Sequence, residues 1–301
     1  MSKPIVGGIW PAILTCLDEN RRPCEANITK MIELFVQQKV GGLYVLGSTG
    51  QGPALDMATR KKTMELVSKA NKGRLPLMLH VGAVSPFEAV ELAKHGADHG
   101  ADAISSVAPI YFPPTADMLF AHYSTIASAT KLPFYAYHFN ATNLPPLKEY
   151  VSRMLEVPNI AGMKITDTNL IVVEMVIAYA KGKLQIFSGC DEINLPAVIS
   201  GADGAIGSFY NMFAPACIKA REALLKGDIA AAKKFMVTFC RVIMEIVGNY
   251  NNTYPFFRQS MQMMYGIDIG TGANASSLVY KPLPESQVRA WIDEVNQAAG
   301  L

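Results

Sequence analysis

Ile160-Ala161-Gly162-Met163-Lys164-Ile165-Thr166 is the run on which the reading of this chain turns. It is short and apolar, and it lacks the strict alternation of a strand with one wet face. It therefore reads as a strand covered on both sides. Seven similar runs recur along the chain: Gly8 to Leu14, Gly42 to Leu46, Leu75 to Val81, Ala101 to Val107, Leu132 to Tyr137, Leu184 to Ser188 and Gly204 to Gly207. Helical patterns separate them: Ile28 to Gln38, Ala58 to Ala70, Pro86 to Gly96, Ala116 to Ala129, Leu147 to Leu155, Asn169 to Ala180 and Ile193 to Ser200, with Pro215 to Lys226 closing the series. Ser85 and Pro86 mark one helix start, as cap and first-turn proline. Strand–helix units of roughly 25–35 residues predict an α/β fold, a closed (β/α)8 TIM barrel over residues 1–226. An open doubly wound sheet is the competing architecture, but the Gly-rich dinucleotide loop expected after its first strand is absent. Residues 227–301 read as a C-terminal helical extension packed on the barrel, with helices over Asp228 to Val247, Tyr254 to Tyr265 and Glu285 to Ala299.

Composition narrows the function classes. The 301 residues are 50% hydrophobic, enough for a sizeable core. A formal net charge of +2, with no basic run interleaved with aromatics, argues against a nucleic-acid partner. The longest apolar stretches are strand-length, so no membrane span is expected. The N-terminus shows no signal-peptide pattern, which predicts a cytoplasmic protein. The 5 cysteines are odd in number, widely spaced and without Cys-x-x-Cys, as for reduced thiols. Cys190 reads as a small buried side chain rather than a nucleophile.

Barrel enzymes carry their chemistry at the C-terminal ends of the strands. Lys164 lies at such an end. An ammonium in an apolar run is costly unless it is paired or loses its proton, and a neutral lysine can capture a ketone as a Schiff base. Tyr137 ends the preceding strand-like run. A lysine and a phenol on neighbouring strands suggest carbon–carbon bond chemistry on an α-keto acid. Spacing alone leaves that reading level with a salt-bridged lysine and a core tyrosine. The loop Gly47-Ser48-Thr49-Gly50-Gln51-Gly52 has neither phosphate-loop nor dinucleotide spacing. Its two hydroxyls and glycine N–H groups suit a carboxylate. Asp191-Glu192, after the seventh strand, fits either a helix cap or a binder of sugar hydroxyls. His95 and His99 have His-x-x-x-His spacing. Gly96 is expected to break the helix between them, and both precede the fourth strand, away from the chemistry, so they read as solvated histidines and no catalytic metal is expected.

Together, Gly47-Ser48-Thr49-Gly50, Tyr111 after Ala108-Pro109, Tyr137, Gly162-Met163-Lys164 and Gly201-Ala202-Asp203-Gly204-Ala205-Ile206-Gly207-Ser208 resemble the N-acetylneuraminate lyase / dihydrodipicolinate synthase family of class I aldolases. Tyr135-Ala136-Tyr137-His138, Lys164-Ile165-Thr166-Asp167-Thr168, Gly189-Cys190-Asp191-Glu192 and Ser208-Phe209-Tyr210-Asn211 are similar to the lyase branch. The resemblance implies Lys164, Tyr137 and Tyr111 as catalytic residues, Tyr111 reaching a neighbouring subunit of a homotetramer. It implies Ser48, Thr49, Thr166, Gly189, Asp191, Glu192, Gly207 and Ser208 as substrate-binding residues. The expected ligand is pyruvate or a sialic-acid-like sugar acid, and the expected cofactor is none, since the lysine supplies the electrophile. Departures are Gln51 where the family commonly has glutamate, Asn140 where it has proline, and Thr142 where dihydrodipicolinate synthases usually carry arginine. A dihydrodipicolinate synthase and a 2-keto-3-deoxy sugar acid aldolase or dehydratase remain alternatives. So do a metal-dependent barrel isomerase and a keto-acid-binding barrel without turnover.

Overall fold

The computed structural model describes residues 5–139, 144–248 and 250–301. Eight parallel strands form one sheet: β1 (Gly8–Pro11), β2 (Leu43–Val45), β3 (Leu77–His80), β4 (Ala103–Val107), β5 (Phe134–Phe139), β6 (Ile160–Thr166), β7 (Gln185–Ser188) and β8 (Gly204–Gly207). Their order runs from β1 through β8 and back down to β2. The ring closes between β1 and β2 through the bridge of Ala12 with Tyr44, where the Ile13 N–H donates to the Tyr44 carbonyl at 2.9 Å. The helices that follow the strands are α1 (Glu25–Gln37), α2 (Met57–Asn71), α3 (Pro86–Asp98), α4 (Ala116–Ala127), α5 (Leu147–Met154), α6 (Leu170–Ala180), α7 (Asn194–Ile199) and α8 (Tyr210–Leu225). This is the (β/α)8 TIM barrel the alternation predicts, followed by α9 (Ile229–Val247), α10 (Tyr250–Tyr265) and α11 (Glu285–Ala299).

Why these runs become strands follows from where their faces go. Outward residues such as Leu43, Leu77, Leu79, Ile104, Phe134 and Met163 join the core beneath the helices. Inward residues, among them Trp10, Met78, Tyr135, Phe187 and Ile206, fill the barrel itself. A strand covered on both faces has no polar side to display. The C-terminal helices share the outer core: Phe209 and Phe213 of the barrel unit meet Phe239 and Phe256, and Phe256 meets Trp291.

Three expectations are corrected. Gly96 does not break α3, which runs on to Asp98; a Cβ at Gly96 would lie 2.3 Å from Leu79 Cδ2, so the glycine lets the helix sit close on β3. The eighth helix begins at Tyr210, not Pro215, because two helical pieces join across a kink at Phe213 (φ −115°, ψ 20°) just ahead of the proline. The tenth begins at Tyr250, not Tyr254, and carries Pro255 inside the helix.

Candidate active site

The inward parity of two adjacent strands builds the centre of the site. On β5, Tyr135, Tyr137 and Phe139 stand in register with Gly162, Lys164 and Thr166 of β6, so Tyr137 and Lys164 share one face as neighbours. Lys164 also pairs in register with Phe187 of β7. Both catalytic candidates are buried, Lys164 at 4% and Tyr137 at 3% exposure. Lys164 Nζ lies 4.1 Å from the centre of the Tyr137 ring and 4.7 Å from that of Tyr44. Among the described residues Lys164 forms no ion pair and its amine has no hydrogen-bond partner, so the salt-bridged alternative does not apply. The amine is instead walled by π-faces, which tolerate a cation without neutralising it.

The groups around it are neutral. The Tyr44 hydroxyl bonds Ser105 Oγ at 2.9 Å, and burial raises its pKa well above the usual phenol range. His80 is held from both sides: Nδ1 meets the Leu46 carbonyl at 3.2 Å, and Nε2 accepts the Val107 N–H at 3.2 Å. Burial, then the Arg60 charge, push the pKa of its imidazole down to about 3, so it stays uncharged. Neither Tyr44 nor His80 was marked by the sequence reading. The available signal was a polar atom inside an apolar strand, the same signal that marked Lys164.

The loop after β2 folds tightly back on itself, its Gln51 and Gly52 N–H groups bonded to the Ser48 and Gly47 carbonyls. Leu46 turns into the left-handed region (φ 61°), where a non-glycine is held only by its surroundings. A Cβ on Gly52 would overlap the Leu46 carbonyl oxygen at 1.9 Å, so the loop folds back on itself only with glycine there. Thr49 Oγ1 and Ser208 Oγ stand 2.7 Å apart, joining the loops after β2 and β8. Thr15 Oγ1 donates to the Gly50 carbonyl at 2.6 Å. The Asn211 amide donates to the Ala12 and Ser208 carbonyls, both at 2.7 Å, and its oxygen accepts the Leu14 N–H at 3.1 Å. Ser48 is exposed at this rim. Gln51, buried, accepts the N–H groups of Ala273 and Asn274 on its Oε1 and so ties the C-terminal segment to the rim.

β6, β7 and β8 carry Thr166, Gly189, Asp191, Glu192, Gly207 and Ser208 at or just after their C-terminal ends. The Thr166 hydroxyl points at the Tyr137 hydroxyl at 3.4 Å. A Cβ on Gly189 would lie 1.9 Å from Thr166 Oγ1, and one on Gly207 would overlap Asp191 Oδ1 at 1.4 Å, so both glycines make room for a neighbour's oxygen. Asp191 is buried and accepts the Phe209 N–H at 2.9 Å rather than capping α7. Burial pushes its carboxyl up to about 7. Cys190 is buried as expected, with its thiol pushed up to about 12 by burial.

Tyr111 does not join this cluster within one chain. It is 74% exposed on the loop after β4, against Phe112 and beside Ile110, both also exposed. An apolar hollow of about 430 Å³ opens next to that loop, lined by Pro109, Pro113, Val107, Phe139 and, at the rim, Ser48 and Gln51. Asn140 and Thr142 lie outside the described residues.

Comparison with known proteins matches residues 5–274 to the dihydrodipicolinate synthetase family. N-acetylneuraminate lyase of Shigella boydii is 32% identical over 242 residues, covering 80% of this chain and 81% of that one. Among solved structures, Proteus mirabilis N-acetylneuraminate lyase superposes with a TM-score of 0.84 at 27% identity, covering 99% of this chain and 100% of that chain. A catalytic lysine mutant of Ruminococcus gnavus sialic acid aldolase shares the fold, with a TM-score of 0.90 at 23% identity, over 99% of this chain and 98% of that one.

Proposed function

Because the chain belongs to the dihydrodipicolinate synthetase family, we propose that it is a pyruvate-dependent class I aldolase cleaving a sialic-acid-like 2-keto-3-deoxy sugar acid, N-acetylneuraminate to N-acetylmannosamine and pyruvate. The observation that carries this is a buried lysine amine without an ion pair, facing a tyrosine at the mouth of a barrel. The substrate carboxylate rests on Ser48, Thr49 and nearby backbone N–H groups. The Lys164 amine attacks the C2 ketone, and loss of water gives a protonated imine. Tyr137 takes the proton of the C4 hydroxyl as the C3–C4 bond breaks, and the electron pair of that bond moves into the imine. The aldehyde leaves. The enamine gains a proton at C3, and water releases pyruvate and restores the lysine. The protonated imine that the lysine forms is the electron sink, so this reading uses no cofactor.

Thr166, Gly189, Asp191, Glu192, Gly207 and Ser208 hold the polyhydroxy tail in this reading. Tyr111 of one copy completes a relay to the Tyr137 of a neighbouring copy. Its exposed apolar tip and the adjacent hollow support an assembly, read as a homotetramer. No helix among the described residues is long and apolar enough to cross a membrane, and all five cysteines are free, which supports a reducing, cytoplasmic location.

The test is trapping. Protein incubated with pyruvate and borohydride should gain a covalent adduct on Lys164, seen by mass spectrometry. An unmodified protein, under conditions that trap a known class I aldolase, would sink the proposal. A substrate panel read by pyruvate release, with a separate condensation assay, then distinguishes a lyase from a dihydrodipicolinate synthase. Light scattering reads the assembly.

A further inference from the structure

Two histidines that the proposed reaction does not use lie with a glutamate on the outside of the barrel. They sit on α2 and near the end of α3, just ahead of β4, at the face away from Lys164. We propose that Glu65, His95 and His99 form a site for one divalent transition-metal ion of the kind that favours imidazole, clipping α2 to α3. One donor atom of each residue lies within 4.8 Å of the others. An ion with bonds of about 2.0–2.1 Å needs donors about 3.3 Å apart. Rotation of the exposed His99 and the half-buried Glu65 can close that gap.

The local bonds prepare the rings for this. His99 Nδ1 lies 2.8 Å from the His95 carbonyl oxygen, which accepts only if the nitrogen carries the proton, leaving the Nε2 lone pair outward. His95 Nε2 lies 3.2 Å from Glu65 Oε1, so an ion entering there replaces the proton that joins them. His95 Nδ1 is buried and without a partner among the described residues, so the ring's polar capacity is not used up within the chain. The two rings stack at 3.9 Å and 16°, an arrangement that two imidazolium ions would oppose.

Neighbouring charges set the strength. Lys61 pairs with Glu91, and Lys62 lies 3.3 Å from Glu65 Oε2, leaving Oε1 as the ligand atom and making the affinity modest. His80, His122 and His138 are buried, so His95 and His99 are the histidines open to an ion from solvent.

Titrating untagged protein with Ni²⁺ by calorimetry is the test, because nickel accepts imidazole readily. The expected result is one equivalent bound, weakened about tenfold or more by His99→Ala and several-fold by Glu65→Gln. Nickel should also raise the Tm of the wild type and not of His99→Ala. His99 is exposed, so its replacement leaves the fold intact. Absence of saturable binding in the wild type, or unchanged affinity in either variant, overturns the proposal.

Discussion

Tyr135 and Tyr137 point into the same barrel two residues apart, yet one closes its floor and the other stands at its mouth. The Tyr135 hydroxyl donates to Gln185 Oε1 at 2.7 Å, and its ring packs edge-on against Phe187, which in turn meets Trp10. Everything polar there is satisfied within the chain. Among the described residues, the Tyr137 hydroxyl has only a long 3.4 Å contact from Thr166, and the amine beside it has π-faces in place of an acceptor. The floor is finished by folding. The mouth is left with polar capacity that a ligand can complete, and that difference separates packing from chemistry in one continuous interior.

The comparison breaks first at Lys164. Lys164→Ala should abolish the borohydride adduct and lower turnover by roughly 10⁴-fold or more, while Tm holds or rises, because a buried unpaired amine is removed. A fall in Tm alongside lost activity would make the lysine part of the scaffold. Tyr137→Phe should slow cleavage by about 10²–10⁴-fold and leave adduct formation largely intact. Equal loss of both would move Tyr137 to the floor's category. The floor responds in the other currency: Phe187→Ala should cost about 3–5 kcal/mol in denaturant unfolding. A fold-neutral result there would mean the interior is less closely packed than its contacts indicate.

Asp191 sharpens the comparison through pH. Its carboxyl is raised by burial in the folded chain to about 7 from an ordinary value of 3.8, so between these values the folded state holds a proton that the unfolded state has released. That contribution is fully present below about pH 4 and is lost as pH rises toward 7. His80 has the opposite sign: its lowered value makes stability fall as pH drops from 6.5 toward about 3. Asp191→Asn should therefore raise Tm more at pH 8 than at pH 5, measured by thermal melts. The smallest effect is expected at Gln51. Gln51→Ala frees the N–H groups of Ala273 and Asn274 and should cost about 1–2 kcal/mol, with a higher KM as the rim loosens. An unchanged KM would confine Gln51 to stability.

The sequence revealed the barrel because parallel strands must be apolar on both faces, and all eight runs carry that mark. Lys164 was legible for the same reason, as an ammonium where none belongs. Tyr44 passed as one more core aromatic, because its significance depends on the ring lying across the barrel from β6, a distance that strand order and tilt fix and local spacing does not. The contacts of Gln51 and Asn211 were hidden likewise, since Ala273 and Ala12 lie 222 and 199 residues away from them. Gly96 misled because glycine's low helix propensity is a local cost, while its value against Leu79 is tertiary.

The ring of strands has one thin seam. Between β1 and β2 the ladder shrinks to a single bridge and its flanking bonds, and the Thr15 side chain, donating to the Gly50 carbonyl, makes up part of the fastening. The rim proposed to hold the substrate carboxylate begins a few residues beyond that seam. Amide protons of Gly41 and Ile13, which donate to the Ile9 and Tyr44 carbonyls across the seam, should accordingly exchange with deuterium sooner than those along β5 and β6, and a bound keto acid should slow them, so that occupancy of the mouth is written into the breathing of its weakest joint.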